Sequence, residues 1–586
     1  MKPIAIAALT LLLQTTAQAS AQQVAKAAIE GTAVRTGSGE PISGVRVILT
    51  RVPPQPAGNL PAPINGPPPV SATLPSATTD SQGKFALKDL EAGSYRVTFA
   101  ANGYAKQDYG QRSFTGQGAP ITVAAGQTAK AINIAMTPAG NVSGHIRDGA
   151  GLPAAGVPIQ LSRVSYNANG QRGLQVVTVE ITNDRGEYRL FWISPGRYYV
   201  NAGSAPGLSS RSFLGGPAGS PNLVPGQSFA YTFYPGVSDV NRALALDVAA
   251  GAEVSGIDFT VLPQRLLNVR GRLVDSRTGT APSAVSVSAL YQIFDSSGST
   301  GGSNNYNAST GTFELANLVP GSYVVQAFVA HNNPSSPIID SGSRVASNEQ
   351  RYDVATQVPI ELTSTDLEDV VLTLGRSPLS GRVTVDGTPP SSLSVLKVYL
   401  RPSRNGTITN SVGASLPPVP AANDDGTFRI DSVLPGEYRL AMPGLPDDLY
   451  IKGARYNQND VLNKPLVYCA AESGILEIVV GSGAVQISGT AVDGQSRPAA
   501  GIPVVLVPDQ NRDRIELYKN ATTDANGRYS LRGIAPGDYK LFAWDSVDSF
   551  VWFDSDFLKS HEGQGRAIHV LESSNQVVDL KTALGN

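Results

Sequence analysis

The sequence predicts an all-β chain: a tandem array of five antiparallel β-sandwich domains behind a signal peptide. Three observations predict it. One phrase recurs five times, and its opening glycines, Gly31, Gly144, Gly271, Gly381 and Gly489, stand 113, 127, 110 and 108 residues apart. That period suits an independent sandwich and is far longer than a solenoid repeat. Glycine (60) and proline (42) are abundant in the 586 residues, together about 17% against a usual ~12%, as a chain full of turns requires. The length also calls for several domains, because single cores stop growing near about 250–300 residues.

Each unit opens on a short strand: Gly31 to Val34, Ser143 to Ile146, Gly271 to Val274, Ser380 to Val383 and Ser488 to Val492. Turn residues follow, then a second apolar alternation such as Val45 to Leu49 or Ile502 to Leu506. The main phrase comes next. An Asp or Asn precedes Gly83, Gly186, Gly426 and Gly527, where Asx caps a tight turn and glycine accepts positive φ. The third copy has Ser309-Thr310 before Gly311 in place of the aspartate. An aromatic and an aliphatic then alternate onto one strand face: Phe85 and Leu87, Tyr188 and Leu190, Phe313 and Leu315, Phe428 and Ile430, Tyr529 and Leu531. A Pro-Gly corner (Ala92-Gly93 in the first copy) leads to Tyr95, Tyr198, Tyr323, Tyr438 and Tyr539. A tyrosine there packs its ring inward and bonds its hydroxyl to upstream backbone, so these five read as scaffold.

These motifs, the Ser-Gly-x-Val strand, the Asp-x-x-Gly-x-Tyr-x-Leu turn and the Pro-Gly-x-Tyr corner, resemble carboxypeptidase regulatory-like domains. Those belong with transthyretin-like and Cna-B-like modules in a carbohydrate-binding-like superfamily. The resemblance runs from about residue 29 to the C-terminus, and Gly103 to Arg112 is similar to segments of tandem arrays in secreted bacterial proteins. It implies Ig-like or prealbumin-like sandwiches of about seven strands in a non-catalytic accessory role, and it does not imply peptidase activity. The expected boundaries are 29–137, 141–263, 267–376, 378–483 and 486–583. No long linker marks them, so adjacent sandwiches are expected to abut in a semi-rigid rod.

The N-terminus supplies an address. Lys2, an apolar run from Ile4 to Leu13, and an A-x-A site at Ala17–Ala19 or Ala19–Ala21 form a secretory signal over residues 1–21. No later apolar stretch reaches transmembrane length. Lys plus Arg (45) nearly balances Asp plus Glu (47), which leaves no basic footprint for nucleic acid. With 16% charged and 41% hydrophobic residues, bulk disorder is excluded. Between the shared phrases lie insertions. Arg51 to Pro75 holds nine prolines and is expected to be an extended excursion, and Gly207–Gln227 and Ser296–Asn307 are expected to be loops.

Chemistry-bearing motifs are sparse. The sole cysteine, Cys469, excludes an internal disulfide and is expected to be a small buried hydrophobe. His561-Glu562 starts a His-Glu-x-x-His zinc motif and lacks its second histidine, while His569 and Glu572 match a His-x-x-Glu pair but read as strand. Asp524 to Gly527 reads as a turn rather than a calcium loop. No nucleophile elbow or phosphate loop occurs. No catalytic residue, metal or cofactor is expected. What remains is an aromatic-acidic run in the last unit, Trp544, Trp552 and Phe553 among aspartates, with Trp192 beside Phe191 as a weaker counterpart. Packing is the favoured reading of this cluster; carbohydrate binding by these four residues is the alternative. The expected function is therefore an adhesive, spacer or ligand-binding protein of the periplasm or cell surface, with a polysaccharide or envelope protein as partner. A hydrolase with an unrecognised site is the second alternative.

Overall fold

The computed structural model describes residues 25–52, 74–203, 223–332, 350–403, 419–469 and 474–585, apart from positions 117, 169, 277, 283–284, 294–295, 302, 375–376 and 525. The segment expected to be a signal and most of the proline-rich and Gly207–Gln227 stretches lie outside the described residues. Strands dominate, and two sheets face each other in every repeat unit.

The opening strands are Ala27–Arg35, Gly140–Arg147, Leu267–Asp275, Ser377–Asp386 and Val485–Val492. Each pairs antiparallel with the strand after the Asx–Gly turn: Lys84–Leu90, Glu187–Ile193, Thr312–Leu318, Thr427–Val433 and Arg528–Ile534. In the other sheet the second strand of the unit pairs antiparallel with the strand that carries the corner tyrosine. One pairing departs from a purely antiparallel sandwich. Every opening strand also runs parallel to a late strand of its own unit, as in Ser380↔Ile475 and Ser488↔Val577. Parallel neighbours need a long connection, and nearly a whole unit separates these two strands.

Five separate apolar cores result, spanning 27–136, 142–261, 267–374, 379–480 and 485–580. The repeated side chains build them. All five corner hydroxyls donate to the carbonyl four residues upstream: Tyr95 to Glu91 (2.9 Å), Tyr198 to Ser194 (2.8 Å), Tyr323 to Val319 (2.7 Å), Tyr438 to Leu434 (2.8 Å) and Tyr539 to Ala535 (2.9 Å). The Asx caps also form, with Asp80 Oδ1 accepting from the amides of Gln82 and Lys84, and Asp524 Oδ1 from those of Asn526 and Arg528. In the third unit Asn307, four residues before Gly311, performs this task by accepting from the Ser309 amide at 2.9 Å. The turn therefore needs no aspartate there. A further repeated device went unread in the sequence. The buried Thr79, Thr182 and Thr523 each donate to one backbone carbonyl (Ile42, Ala154, Ala499) and accept from one amide (Val45, Val157, Ile502).

Burial raises the phenol pKa of Tyr198, Tyr323 and Tyr539, and pushes that of Tyr438 up to about 12. An acid whose folded pKa exceeds its unfolded value near ~10 keeps its full stabilising contribution below that pH and loses it on further rise. The unfolding midpoint in urea is therefore expected to be independent of tyrosine ionisation up to about pH 10 and to fall steeply between about pH 10 and 12. A midpoint that stayed level through this window, read alongside phenolate absorbance, would sink the assignment.

Three expectations change. Within Ser296–Asn307 the described residues are strand: Ser296–Gly301 and Ser303–Asn307 extend the two sheets of the third unit. Ladder bonds come from the backbone, so a Gly/Ser/Asn composition does not prevent pairing. Cys469 is exposed, because the alternation of Leu466–Tyr468 buries Leu466 and Tyr468 and turns the intervening and following positions outward. The row of units is also not straight. The fifth unit touches the fourth through Tyr450 to Glu572 (3.0 Å) and Arg514 to Asn463 (3.2 Å), the first through Arg112 to the Ala500 carbonyl (2.9 Å), and the second through Tyr166 to Asp554.

Candidate functional site

The four aromatic residues weighed between packing and sugar binding separate into two environments. In the last unit the strand Gly537–Ala543 points Tyr539, Leu541 and Ala543 into the inner core. Alternation puts Phe542, and Trp544 just beyond it, on the outer face of the same sheet. That face is covered. A segment with a 3₁₀ turn at Val551–Phe553 and a short helix at Ser555–His561 folds over it and makes a second apolar cluster. Trp544 is 0% exposed, stacked on Phe542 (4.7 Å between centroids, 14° between planes), with Phe557 edge-on at 5.5 Å. Its indole nitrogen donates to Gln564 at 3.2 Å. Trp552 is 5% exposed, and Phe553 packs half-buried against Tyr518. Both tryptophans are buried, as the favoured packing reading of this cluster expects. Asp554, read among the acids of the platform, instead caps the helix by accepting from the amides of Asp556 and Phe557.

Trp192 is placed otherwise. It lies in Glu187–Ile193, which ends its sheet, and is 59% exposed; Phe191 beside it is 45% exposed. The two rings are 6.5 Å apart, and the Arg189 guanidinium stands 5.1 Å from the centre of the Phe191 ring, a cation–π contact. Along the same face Arg189 pairs with Glu253 (3.1 Å), and His145 Nδ1 lies 3.3 Å from Asp258 Oδ1. The Asn183 amide, donating at 2.9 Å, holds the Glu187 carboxyl below the usual carboxylate range, with Arg185 and His145 adding to it.

Trp192 also has a left-handed backbone, φ 55°. It occupies a β-bulge that recurs four residues after the turn aromatic. The corresponding residues are Asp89 (φ 61°), Asn317 (φ 63°) and Gly533 (φ 64°), types that tolerate this conformation. A tryptophan there is strained by roughly 1–2 kcal/mol. Aligning the five copies by eye exposes the anomaly, but its exposure could not be read from them.

Two of the other histidines make side-chain contacts: His561 stacks on Phe557 at 4.1 Å, and His569 Nδ1 lies 2.6 Å from Asp538 Oδ1. His331 is a residue of the strand Gly321–Asn332. Among the described residues no group of three or more His, Cys, Asp or Glu is placed to hold a metal, and no helix is long and apolar enough to cross a membrane. What the outer face of the second unit offers is stacking, cation–π contact and an open strand edge.

Residues 28–137 and 486–550 match the carboxypeptidase regulatory-like domain family. No curated protein matches the chain. Among solved structures it is similar to the minor pilin GBS52 of Streptococcus agalactiae (14% identity, 41% of this chain and 95% of that one, TM-score 0.19). A streptococcal ancillary pilin is 11% identical over 54% of this chain and 99% of its own, with TM-score 0.18. The major pilin subunit BcpA of Bacillus cereus is 11% identical over 75% and 98%, with TM-score 0.13. The first unit and the larger part of the fifth are thus similar to carboxypeptidase regulatory-like domains.

Proposed function

We propose that the protein is an exported, non-catalytic scaffold whose five sandwich domains space and present binding surfaces at the cell envelope. One observation carries the reading: the side chains that recur in every unit are spent inside that unit. The corner tyrosines bond to their own backbone, and the turn aromatics and aliphatics fill their own cores. Repetition therefore preserves a framework, while differences between units fall on outer faces and insertions, where binding surfaces belong. The five cores support five domains at 29–137, 141–263, 267–376, 378–483 and 486–583, and the signal-like segment at 1–21 supports export. A carbohydrate ligand, if stacked on this chain, would use Trp192, the one tryptophan with an exposed face.

The test is a pull-down of the chain from residue 22 onward on a polysaccharide panel, beside generic peptidase and glycosidase assays. Retention without turnover is expected. Turnover that disappears with a single carboxylate or histidine substitution would overturn the non-catalytic reading.

A further inference from the structure

The strand after the Asx–Gly turn ends its sheet in four of the five units and is covered in the third. Lys84–Leu90, Glu187–Ile193, Thr427–Val433 and Arg528–Ile534 each end their sheet. In the third unit the same edge is covered. Ser303–Asn307 pairs antiparallel along Thr312–Leu318, from Ser303↔Ala316 to Asn307↔Thr312, and Tyr306 packs against the core. The position can therefore take an added strand without disturbing the sandwich.

Exposed edges are normally blunted by charge, because unpaired N–H and C=O groups template further pairing. At the two bulge positions the first unit has Lys88-Asp89, the fourth Asp431-Ser432 and the fifth Arg532-Gly533. The second unit has Phe191-Trp192. It thus replaces edge protection with two exposed rings and accepts a strained tryptophan to do so. The adjoining Arg172–Ile181, itself the last strand of the opposite sheet, adds exposed Val176, Val177 and Ile181. Backbone strain kept where two aromatic rings stand exposed at a sheet edge points to a contact that uses them.

We propose that Glu187–Ile193 is a dimerisation edge that pairs antiparallel with the same strand of a second copy of this chain. Antiparallel pairing about a two-fold axis closes both open edges with one self-complementary surface, the commonest symmetry of soluble oligomers. It is also the sense in which the third unit covers its own edge. The outward side chains are complementary under that operation. A register centred on Leu190 sets Arg189 of one copy opposite Phe191 of the other, repeating twice across the interface the cation–π contact already made within the chain. A single strand pair is a small interface, so association in the micromolar range is expected. The inference is independent of the envelope role.

Sedimentation equilibrium of the full-length chain from about 1 to 100 μM tests it. The average mass is expected to climb from one chain toward two. Phe191→Asp and Trp192→Asn, each installing a residue that a sister unit carries at that position, are expected to weaken association at least tenfold, by about the loss of one or two interface anchors. The melting temperature should not fall, which separates lost pairing from lost folding. A wild-type chain that stays monomeric throughout overturns the proposal, as does a dimer that survives both substitutions. A monomer whose Trp192 fluorescence responds to a polysaccharide also overturns it, and assigns the edge to that ligand.

Discussion

Gly489→Ala is expected to destabilise the fifth unit by about 3 kcal/mol or more, the upper range for an overpacked site that cannot relax. The glycine sits mid-strand, directly opposite Tyr529. A Cβ there would lie 1.9 Å from the Val578 carbonyl oxygen, 2.6 Å from its carbon and 3.2 Å from the Tyr529 ring. The carbonyl cannot step aside cheaply, because it also accepts the Tyr529 hydroxyl at 2.5 Å. The same collision awaits in every copy: Gly31 with Ile132 O at 2.0 Å, Gly144 with Ile257 O at 2.1 Å, Gly271 with Val370 O at 2.0 Å, and Gly381 with Leu476 O at 2.4 Å. The two repeated motifs are thus one device. The opening glycine leaves room, the turn aromatic opposite lies over it, and the late strand closes against both. Urea unfolding followed by the fluorescence of Trp544 and Trp552 reads this unit directly. Gly563→Ala is the control, since a Cβ there meets nothing, and it should stay within about 0.5 kcal/mol. Equal losses at the two glycines would dispose of the close-approach argument.

Trp544→Ala is expected to cost about 3–5 kcal/mol, as for other large aromatics deleted from a core. The loss includes the stack on Phe542, the edge contact with Phe557 and the bond to Gln564. Its signature is local. The cover formed by Val551–Phe553 and Ser555–His561 should become sensitive to protease at a lower urea concentration than the inner core of the same unit. Trp192→Ala should show the reverse, with no loss of stability and a small gain from relieved strain. If Trp544→Ala left the cover as resistant as before, the second cluster would not be what holds it down.

Much of this chain was legible without coordinates because its signals are local. Asx–Gly turns, two-residue alternation and the tyrosine corner act within about a dozen residues, and all five copies repeat them. The same locality explains the misreadings. Alternation assigned Trp544 to the face opposite Tyr539 and Leu541 and left open what covers it, because the covering residues, up to Gln564, lie as far as 20 positions later. Cys469 looked buried because its neighbours are apolar, whereas strand phase turns it out. The third copy seemed to lack its cap because the asparagine that serves it lies four residues from the glycine.

The amino-acid sequence by itself determined the class of fold, the unit and its period, and the buried role of the five tyrosines. Each follows from backbone geometry and side-chain patterning over a single turn and its two strands. Only the tertiary structure decided which outer faces are covered and which edges stay open. It buries Trp544 beneath a cover that includes Trp552 and a short helix, pairs one edge with Ser303–Asn307, and leaves Phe191 and Trp192 exposed on another. The physical reason is that a strand presents two faces and two edges with equal readiness, and what occupies each is set by segments that meet it only after the chain has folded back.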